Sequence, residues 1–372
     1  MKILIEQKKL AEMLNMTARA ASKANNVVPA LSGVHLQAVN GSLILTSSNF
    51  EVSVKTSTTE VEIIEEGEAL SNAQYLADFI SKLNTSPISL ELTKTSKLAI
   101  KYGKSKGNIN TIGKDGWAAP KLDREGFNEN FCVKSNDLKK ALEAVMFAAA
   151  NDHFRKVFTG VLFDIKDGVI NFVASDTHKL AWYAISDAEG AKEGQFIAPT
   201  KLLKEVVRVL KDTEDLVTVM SNDSTLVFKT DETIISVRLL DGQFPDYRAI
   251  IPSATHSMSM ATENLKSSLG RIKALPQDDK TKLPAAKLLI NGNGEIKIEY
   301  VSEVAGTISE VIPLDDRPSL EEEMTIIVNA NYLHEIASSI NSQINIGFAE
   351  PARPILITGE DTVSKYVLVP MR

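Results

Sequence analysis

The strongest constraint in this 372-residue sequence is that it repeats itself. Three segments share one form: "ILIEQKKLAEML", "FCVKSNDLKKAL" and "MSMATENLKSSL". Each reads as a short strand, a polar turn and a helix, with aligned leucines at Leu10, Leu138 and Leu265, 128 and then 127 residues apart. A second set, "ALSNAQYLADFI", "FIAPTKLLKEVV" and "IIVNANYLHEIA", aligns Leu76, Leu203 and Leu333, spaced by 127 and 130. Two independent registers with one period imply a repeated fold unit. The chain therefore reads as three similar domains, 1–128, 129–252 and 253–372, each made of two halves in the order strand, helix, several strands.

The segments between helices are strand-like. "GVHLQAVNGSLILTSSN", "GVLFDIKDGVINFVASD" and "KLLINGNGEIKIEYVS" place apolar or alternating runs around Asn40-Gly41, Asp167-Gly168 and Gly292-Asn293, which are tight-hairpin signals. Few helices among many hairpins predict an α+β class, two helices per domain packed on antiparallel sheets.

The helices carry patterned charge. In "TKLLKEVVRVLKD", Thr200 is the expected N-cap, and Leu202, Leu203, Val206, Val207 and Leu210 form one apolar face. Lys201, Lys204, Arg208 and Lys211 fall on the other face. In the first helix Leu10, Met13, Leu14, Thr17 and Ala21 are expected inward, with Lys8, Arg19 and Lys23 outward and Glu12 interrupting them. Lys139 and Lys140 in the second repeat, and Lys266 and Lys273 in the third, occupy comparable places. On any one helix such lysines merely solvate a surface; recurring in every repeat, they suggest a basic face. The formal net charge of −7 argues against a polyanionic partner only if acid is spread evenly. With a Debye length of about 8 Å, acids on a far surface are screened from DNA lying against the helices.

Catalytic chemistry is not expected. "YGKSKG" supplies Gly103-Lys104-Ser105, but a phosphate loop needs glycine where Leu98 stands. "NGNGEIK" has Lys297 in place of the third glycine of a dinucleotide fingerprint. His35, His153, His178, His256 and His334 show no metal-ligand spacing, and Cys132 has no second cysteine to pair with. Asp176 and His178 in "SDTHKLAW" could share a face, yet no nucleophile completes a set. No cofactor or metal is expected. A single cysteine fits a reducing compartment, no apolar run approaches the ~20 residues of a membrane span, and "MKILIEQKKL" is not a leader. A cytoplasmic protein is the expectation.

Three separate stretches, "VASDTHKLAWY", "LLDGQFPDYRAIIP" and the terminal "YVLVPMR", resemble the signatures of the bacterial sliding clamp family, the beta subunits of the replicative DNA polymerase III. The resemblance extends over the whole chain and includes the threefold repeat. It implies a head-to-tail homodimer closed into a ring, with helices lining a hole that encircles double-stranded DNA without reading its sequence. It also implies no catalysis. Replicative and other DNA polymerases, a clamp loader and repair factors would dock through short linear peptides. The alternative is a repeat scaffold that binds peptides but no DNA.

Carried residue by residue, the resemblance places a peptide cleft at Phe158, at Ser175, Thr177, His178, Lys179 and Leu180, and at Pro245, Ala249 and Ile250. The tail contributes Val367, Leu368, Pro370, Met371 and Arg372. The DNA-facing set would be Lys8, Arg19, Lys23, Lys139, Lys140, Arg155, Lys201, Lys204, Arg208, Lys266 and Lys273. Ile109 and Leu275 are the expected dimer contacts.

Overall fold

The computed structural model describes residues 1–23, 27–84, 86–120, 122, 126–275, 284–302, 304–320, 322–360 and 363–371. Its elements repeat one motif six times, a strand, a helix and three strands. The first half-repeat is Lys2–Ile5 (β1), Gln7–Thr17 (α1), Gly33–Val39 (β2), Ser42–Ser48 (β3) and Val52–Thr58 (β4), followed by an additional strand Val61–Glu65 (β5). The second is Gly67–Asn72 (β6), Ala73–Ser81 (α2), Ile88–Leu92 (β7), Lys97–Tyr102 (β8) and Ser105–Asn110 (β9). Then follow Asn128–Lys134 (β10), Ser135–Met146 (α3), Gly160–Lys166 (β11), Val169–Ser175 (β12) and Lys179–Ile185 (β13). The fourth runs Gly194–Pro199 (β14), Thr200–Val209 (α4), Leu216–Ser221 (β15), Thr225–Lys229 (β16) and Thr233–Arg238 (β17). The fifth is His256–Ala261 (β18), Thr262–Lys273 (α5), Ala285–Ile290 (β19), Glu295–Ser302 (β20) and Gly306–Pro313 (β21). The sixth is Met324–Asn329 (β22), Ala330–Ser338 (α6), Gln343–Phe348 (β23), Ile355–Thr358 (β24) and Ser364–Leu368 (β25).

All six aligned leucines, Leu10, Leu76, Leu138, Leu203, Leu265 and Leu333, have zero exposure. The apolar face of α4 is buried as its spacing predicts, Leu202, Leu203, Val206, Val207 and Leu210 alike. Burying such a side chain contributes about 1.5–3 kcal/mol, so helix placement is fixed by these faces more than by helical propensity.

Two local expectations are corrected. Thr200 is not an N-cap: α4 already begins there, and its hydroxyl is buried without a hydrogen-bond partner among the described residues. Asn72 and Asn329 do cap their helices, accepting from the Tyr75 and Asn331 N–H groups at 2.9 Å. Pro199 stands at the corresponding place in the second repeat and has no side chain to do this. The hairpins at Asn40-Gly41 and Asp167-Gly168 adopt paired positive φ angles, 49° and 73°, then 53° and 76°. In the third repeat the left-handed residue is Gly294 (φ 84°), one position beyond the expected pair, because this loop is longer.

The chain forms two compact units, one of Met1–Lys139, Glu189–Lys192 and Lys201–Leu239, the other of Lys140–Ala188, Glu193–Thr200 and Leu240–Arg372. The first holds a five-stranded sheet β5-β1-β7-β8-β9 and an eight-stranded sheet β10-β15-β16-β17-β4-β3-β2-β6. The second holds an eight-stranded sheet β14-β11-β12-β13-β25-β24-β23-β18 and a four-stranded sheet β21-β20-β19-β22. Each eight-stranded sheet is two four-stranded half-sheets joined edge to edge, at β17–β4 (Val237↔Val52) and at β13–β25 (Lys179↔Leu368). In every half-sheet the joining edge is the last strand of its half-repeat. Two such last strands, β9 and β21, remain as open edges.

The two joins are built alike. Asn49 Oδ1 accepts from Glu51 and Val52 N–H (3.1 and 2.9 Å), as Asp176 Oδ1 accepts from His178 and Lys179 (both 2.9 Å). Phe50 and Thr177, between them, both take positive φ, 71° and 77°. Across the join the Arg238 N–H donates to Glu51 O (2.8 Å), and Val369 N–H donates to His178 O (2.9 Å). Two residues on, Leu240 N–H donates to Ile197 O (2.8 Å) and Met371 N–H to Ile327 O (2.7 Å).

Candidate binding groove and basic helix face

The loop Ser175–Lys179 between β12 and β13 is over-determined. Ser175 Oγ accepts from Thr177 N–H (3.1 Å) and donates to Lys179 O (2.8 Å). A left-handed threonine costs on the order of 1–2 kcal/mol, which these bonds and the Asp176 carboxylate offset. Lys179 is buried, and a buried ammonium needs partners. It has three: Asp176 Oδ2 at 2.7 Å, Glu335 Oε2 at 3.3 Å and the Tyr332 ring, 3.9 Å below. Burial, then the Asp176 charge, raise the Tyr332 hydroxyl above its ordinary pKa, with Lys179 opposing.

Beside this loop lies a cleft of about 150 Å³. Of the residues expected from sequence, Phe158, Ser175, Thr177, His178, Lys179 and Leu180 line it. So do Pro245, Ile250 and Val367, together with Phe244 and Val369, which sequence reasoning missed although both stand inside the quoted stretches. Ala249 is exposed on the short turn Arg248–Ile250 and is not part of the lining. Leu368 is fully buried in the sheet, Pro370 is buried, and Met371 is half-buried and tied to Ile327, so none of these lines the cleft. Arg372 lies outside the described residues. Beneath the lining sits an apolar cluster of Phe158, Leu162, Val173, Leu180, Ile197, Phe244, Tyr247 and Val367. Phe158 and Phe244 meet edge to face at 5.8 Å.

One wall of the cleft is the segment carrying Phe244, Pro245 and Ile250. It is held from behind by Asp164, a buried carboxylate on β11. Tyr247 Oη and Arg248 Nη2 donate to Asp164 Oδ2, both at 2.7 Å, and Gln195 Nε2 donates to Oδ1 at 2.8 Å. Burial alone would raise the Asp164 carboxyl; the Gln195, Tyr247 and Arg248 donors outweigh it and hold it below the usual carboxylate range. Burial, then the Asp164 charge, push the Tyr247 hydroxyl well above the ordinary phenol range. Gly242 starts the segment at φ 125°, where a Cβ would stand 2.9 Å from Val157 Cγ1. Such a groove, apolar with a few fixed polar groups, suits an extended apolar peptide.

The basic residues are distributed as follows. Lys8, Arg19, Lys23, Lys140, Lys201, Lys204, Arg208 and Lys273 are exposed, whereas Lys139 and Lys266 are half-buried. Lys201, Lys204 and Arg208 share the outer face of α4. Lys266 pairs with Glu263 at 3.3 Å. Lys273 Nζ lies 3.4 Å from His334 Nδ1, and burial followed by Lys273 and Lys266 lowers the His334 pKa. Arg155 belongs to neither helix face: its guanidinium sits 5.2 Å over the ring of Phe158, at the cleft. Ile109, on the open edge β9, is half-buried against the core of its unit, and Leu275 is half-buried just after α5. Among the described residues, no group of three His, Cys, Asp or Glu could hold a metal ion, and no helix is long and apolar enough to cross a membrane.

Comparison with known proteins identifies this arrangement. The N-terminal, central and C-terminal domain models of the DNA polymerase III beta subunit match residues 1–119, 132–246 and 248–372. The beta sliding clamp of Rickettsia felis is 26% identical and that of Halalkalibacterium halodurans 25%, each match covering 100% of both chains. The crystal structure of the Bacillus subtilis DNA polymerase sliding clamp superposes with a TM-score of 0.91 at 22% identity, covering 100% of this chain and 99% of that one. A Pseudomonas aeruginosa sliding clamp bound to griselimycin gives 0.91 at 24%, with the same coverage. The fold is that of a sliding clamp. The chain belongs to the DNA polymerase III beta subunit family, whose members are non-catalytic processivity factors of DNA replication.

Proposed function

We propose that two copies of this chain close head to tail into a ring around duplex DNA and tether the replicative polymerase to it. The observation that carries this reading is the pair of open edges. Inside the chain, last strands of half-repeats join at β17–β4 and β13–β25, and among the described residues β9 and β21 are the last strands that stay unjoined at a sheet edge. A second copy offers the missing partner at each, and pairing hides edges that would otherwise template aggregation. Ile109 on β9 and Leu275, after the helix that packs against β21, are the apolar contacts assigned to that join. The repeat supports domain boundaries of 1–128, 129–252 and 253–372, with six domains per ring.

The exposed cations of α1, α3, α4 and α5 supply sequence-independent phosphate contacts, which suit a tether that must move. The cleft around Phe158, Leu180, Phe244, Pro245 and Val367 receives short apolar peptides of polymerases, the clamp loader and repair factors. Such a ring works in the cytoplasm, on the nucleoid. Sedimentation should give a dimer of twice 40.6 kDa, and the protein should stay on nicked circular DNA but slide off linear DNA. A monomer, or equal retention on both forms, would leave only the peptide-binding scaffold.

A further inference from the structure

Beside the basic face lies a cleft of about 590 Å³ between the end of α1, the first turn of α2 and the outer face of α4. Arg19, Lys23 and Arg208 line it, with the amides of Asn15, Asn72 and Gln74 and the exposed ring of Tyr75. Among the described residues that line it, Glu205 is the one carboxylate. Arg208 Nη1 donates to Glu205 Oε1 at 2.5 Å, and Arg19 Nη1 lies 3.6 Å from Oε2. Both guanidinium groups on this stretch are thus already occupied by one internal anion. Lys8, Lys201 and Lys204, by contrast, have no ion pair among the described residues. The arrangement recurs nearby: Lys211 lies 3.3 Å from Glu12 and 3.9 Å from Glu232, and Lys9 lies 2.9 Å from Glu232.

We propose that Glu205 is a built-in counter-ion that competes with DNA phosphate for Arg19 and Arg208, and so limits how tightly the basic face grips DNA. This rests on the reading of that face as DNA-facing. A carboxylate and a phosphodiester are both single-charge oxygen anions that accept from the same guanidinium fork. A phosphate arriving at Arg19 or Arg208 displaces Glu205, and a phosphate leaving is replaced by it. Each contact therefore exchanges one anion for another, which lowers its net gain and keeps passage from one phosphate to the next shallow. A carboxylate in the middle of a DNA-binding face, unexplained as a mere solubilising charge, acquires a role: it trades affinity for mobility.

The test is fluorescence anisotropy of a labelled short linear duplex titrated with the full-length protein over a series of salt concentrations. E205Q keeps the side-chain shape while removing the charge. If it frees one guanidinium, the log–log salt slope should steepen by about 0.9, giving about tenfold tighter binding at 50 mM salt. In an R19Q/R208Q background the same substitution should change nothing, since the competing partners are gone. Melting temperature is measured for each variant, and E205A serves as a second charge-free side chain. If charge reversal at Lys201, Lys204 and Arg208 weakens DNA binding while neither E205Q nor E205A tightens it, the counter-ion role is overturned and the DNA-facing reading stands. If reversal also changes nothing, the face does not meet DNA and the inference falls with that reading.

Discussion

Replacing Tyr247 by phenylalanine removes one hydroxyl and nothing else. The lost bond is 2.7 Å long and ends on the buried carboxylate of Asp164. Hydrogen bonds to charged groups contribute about 1.5–3 kcal/mol, and Arg248 and Gln195 still satisfy the carboxylate, so the cost should lie near the lower end, about 2 kcal/mol. In a unit of this size that lowers the melting transition by about 4–8 °C. The effect should depend on pH with a defined sign. The folded-state pKa of Asp164 is depressed, so its contribution is present above the ordinary carboxylate range and lost as pH falls through the folded value. The gap between wild type and Y247F should therefore be full at neutral pH and narrow steadily below pH ~4. Because Tyr247 anchors the segment of Phe244, Pro245 and Ile250, affinity for a labelled apolar partner peptide should fall several-fold in the same variant. The measurements are calorimetric scans from pH 3 to 8 and a peptide titration at pH 7. An unchanged melting temperature at pH 7 would show that the bond contributes no net stability. A lowered melting temperature with unchanged peptide affinity would show that the network supports the core alone and does not position the cleft wall.

Three further outcomes are expected. Reversing Lys201, Lys204 and Arg208 to glutamate should weaken DNA retention and reduce its salt slope by up to about three contacts, with the dimer intact in sedimentation. Charging both Ile109 and Leu275 to aspartate should give monomers that still bind peptide; a persisting dimer would place the joining edges elsewhere. Deleting Pro370, Met371 and Arg372 should lower the melting temperature by a few degrees and weaken peptide binding through loosening of the lining residue Val369. Stability suffers because Pro370 is buried and the Met371 N–H is bonded to Ile327. Unchanged peptide affinity in the shortened chain would rule the tail out as part of the site.

The repeat, the six helices and their buried faces were legible because each depends on short-range spacing: an apolar residue every three or four positions, an Asn-Gly or Asp-Gly between strands. In the turn around Thr177 the residues alone drew attention only to Asp176 and His178, and its place at a cleft was reached through resemblance. What local pattern could not supply was pairing across distance. Asp164 meets Tyr247 across 83 residues, and the join of β4 to β17 links positions near 55 and 235. The short strand β5 was missed because "VEIIE" alternates weakly and its place beside β1 is set by tertiary contact. Leu368 and Pro370 were placed in the cleft by resemblance, whereas Leu368 is buried within β25 and Pro370 is buried just beyond it.

The twinned joins separate what is inherited as backbone from what is added by side chains. The bonds from Arg238 to Glu51 and from Val369 to His178 are made by main-chain atoms, so they do not depend on the side chains displayed at positions other than the turn-holding Asn49 and Asp176. On one frame Thr177, Leu180 and Val367 leave a cleft; on the other the same positions hold Phe50, Ser53 and Ser236. A docking site can thus be erased or rewritten at a few positions while the structural joint beneath it stays closed. Mechanical integrity and partner choice are thereby free to evolve at different rates.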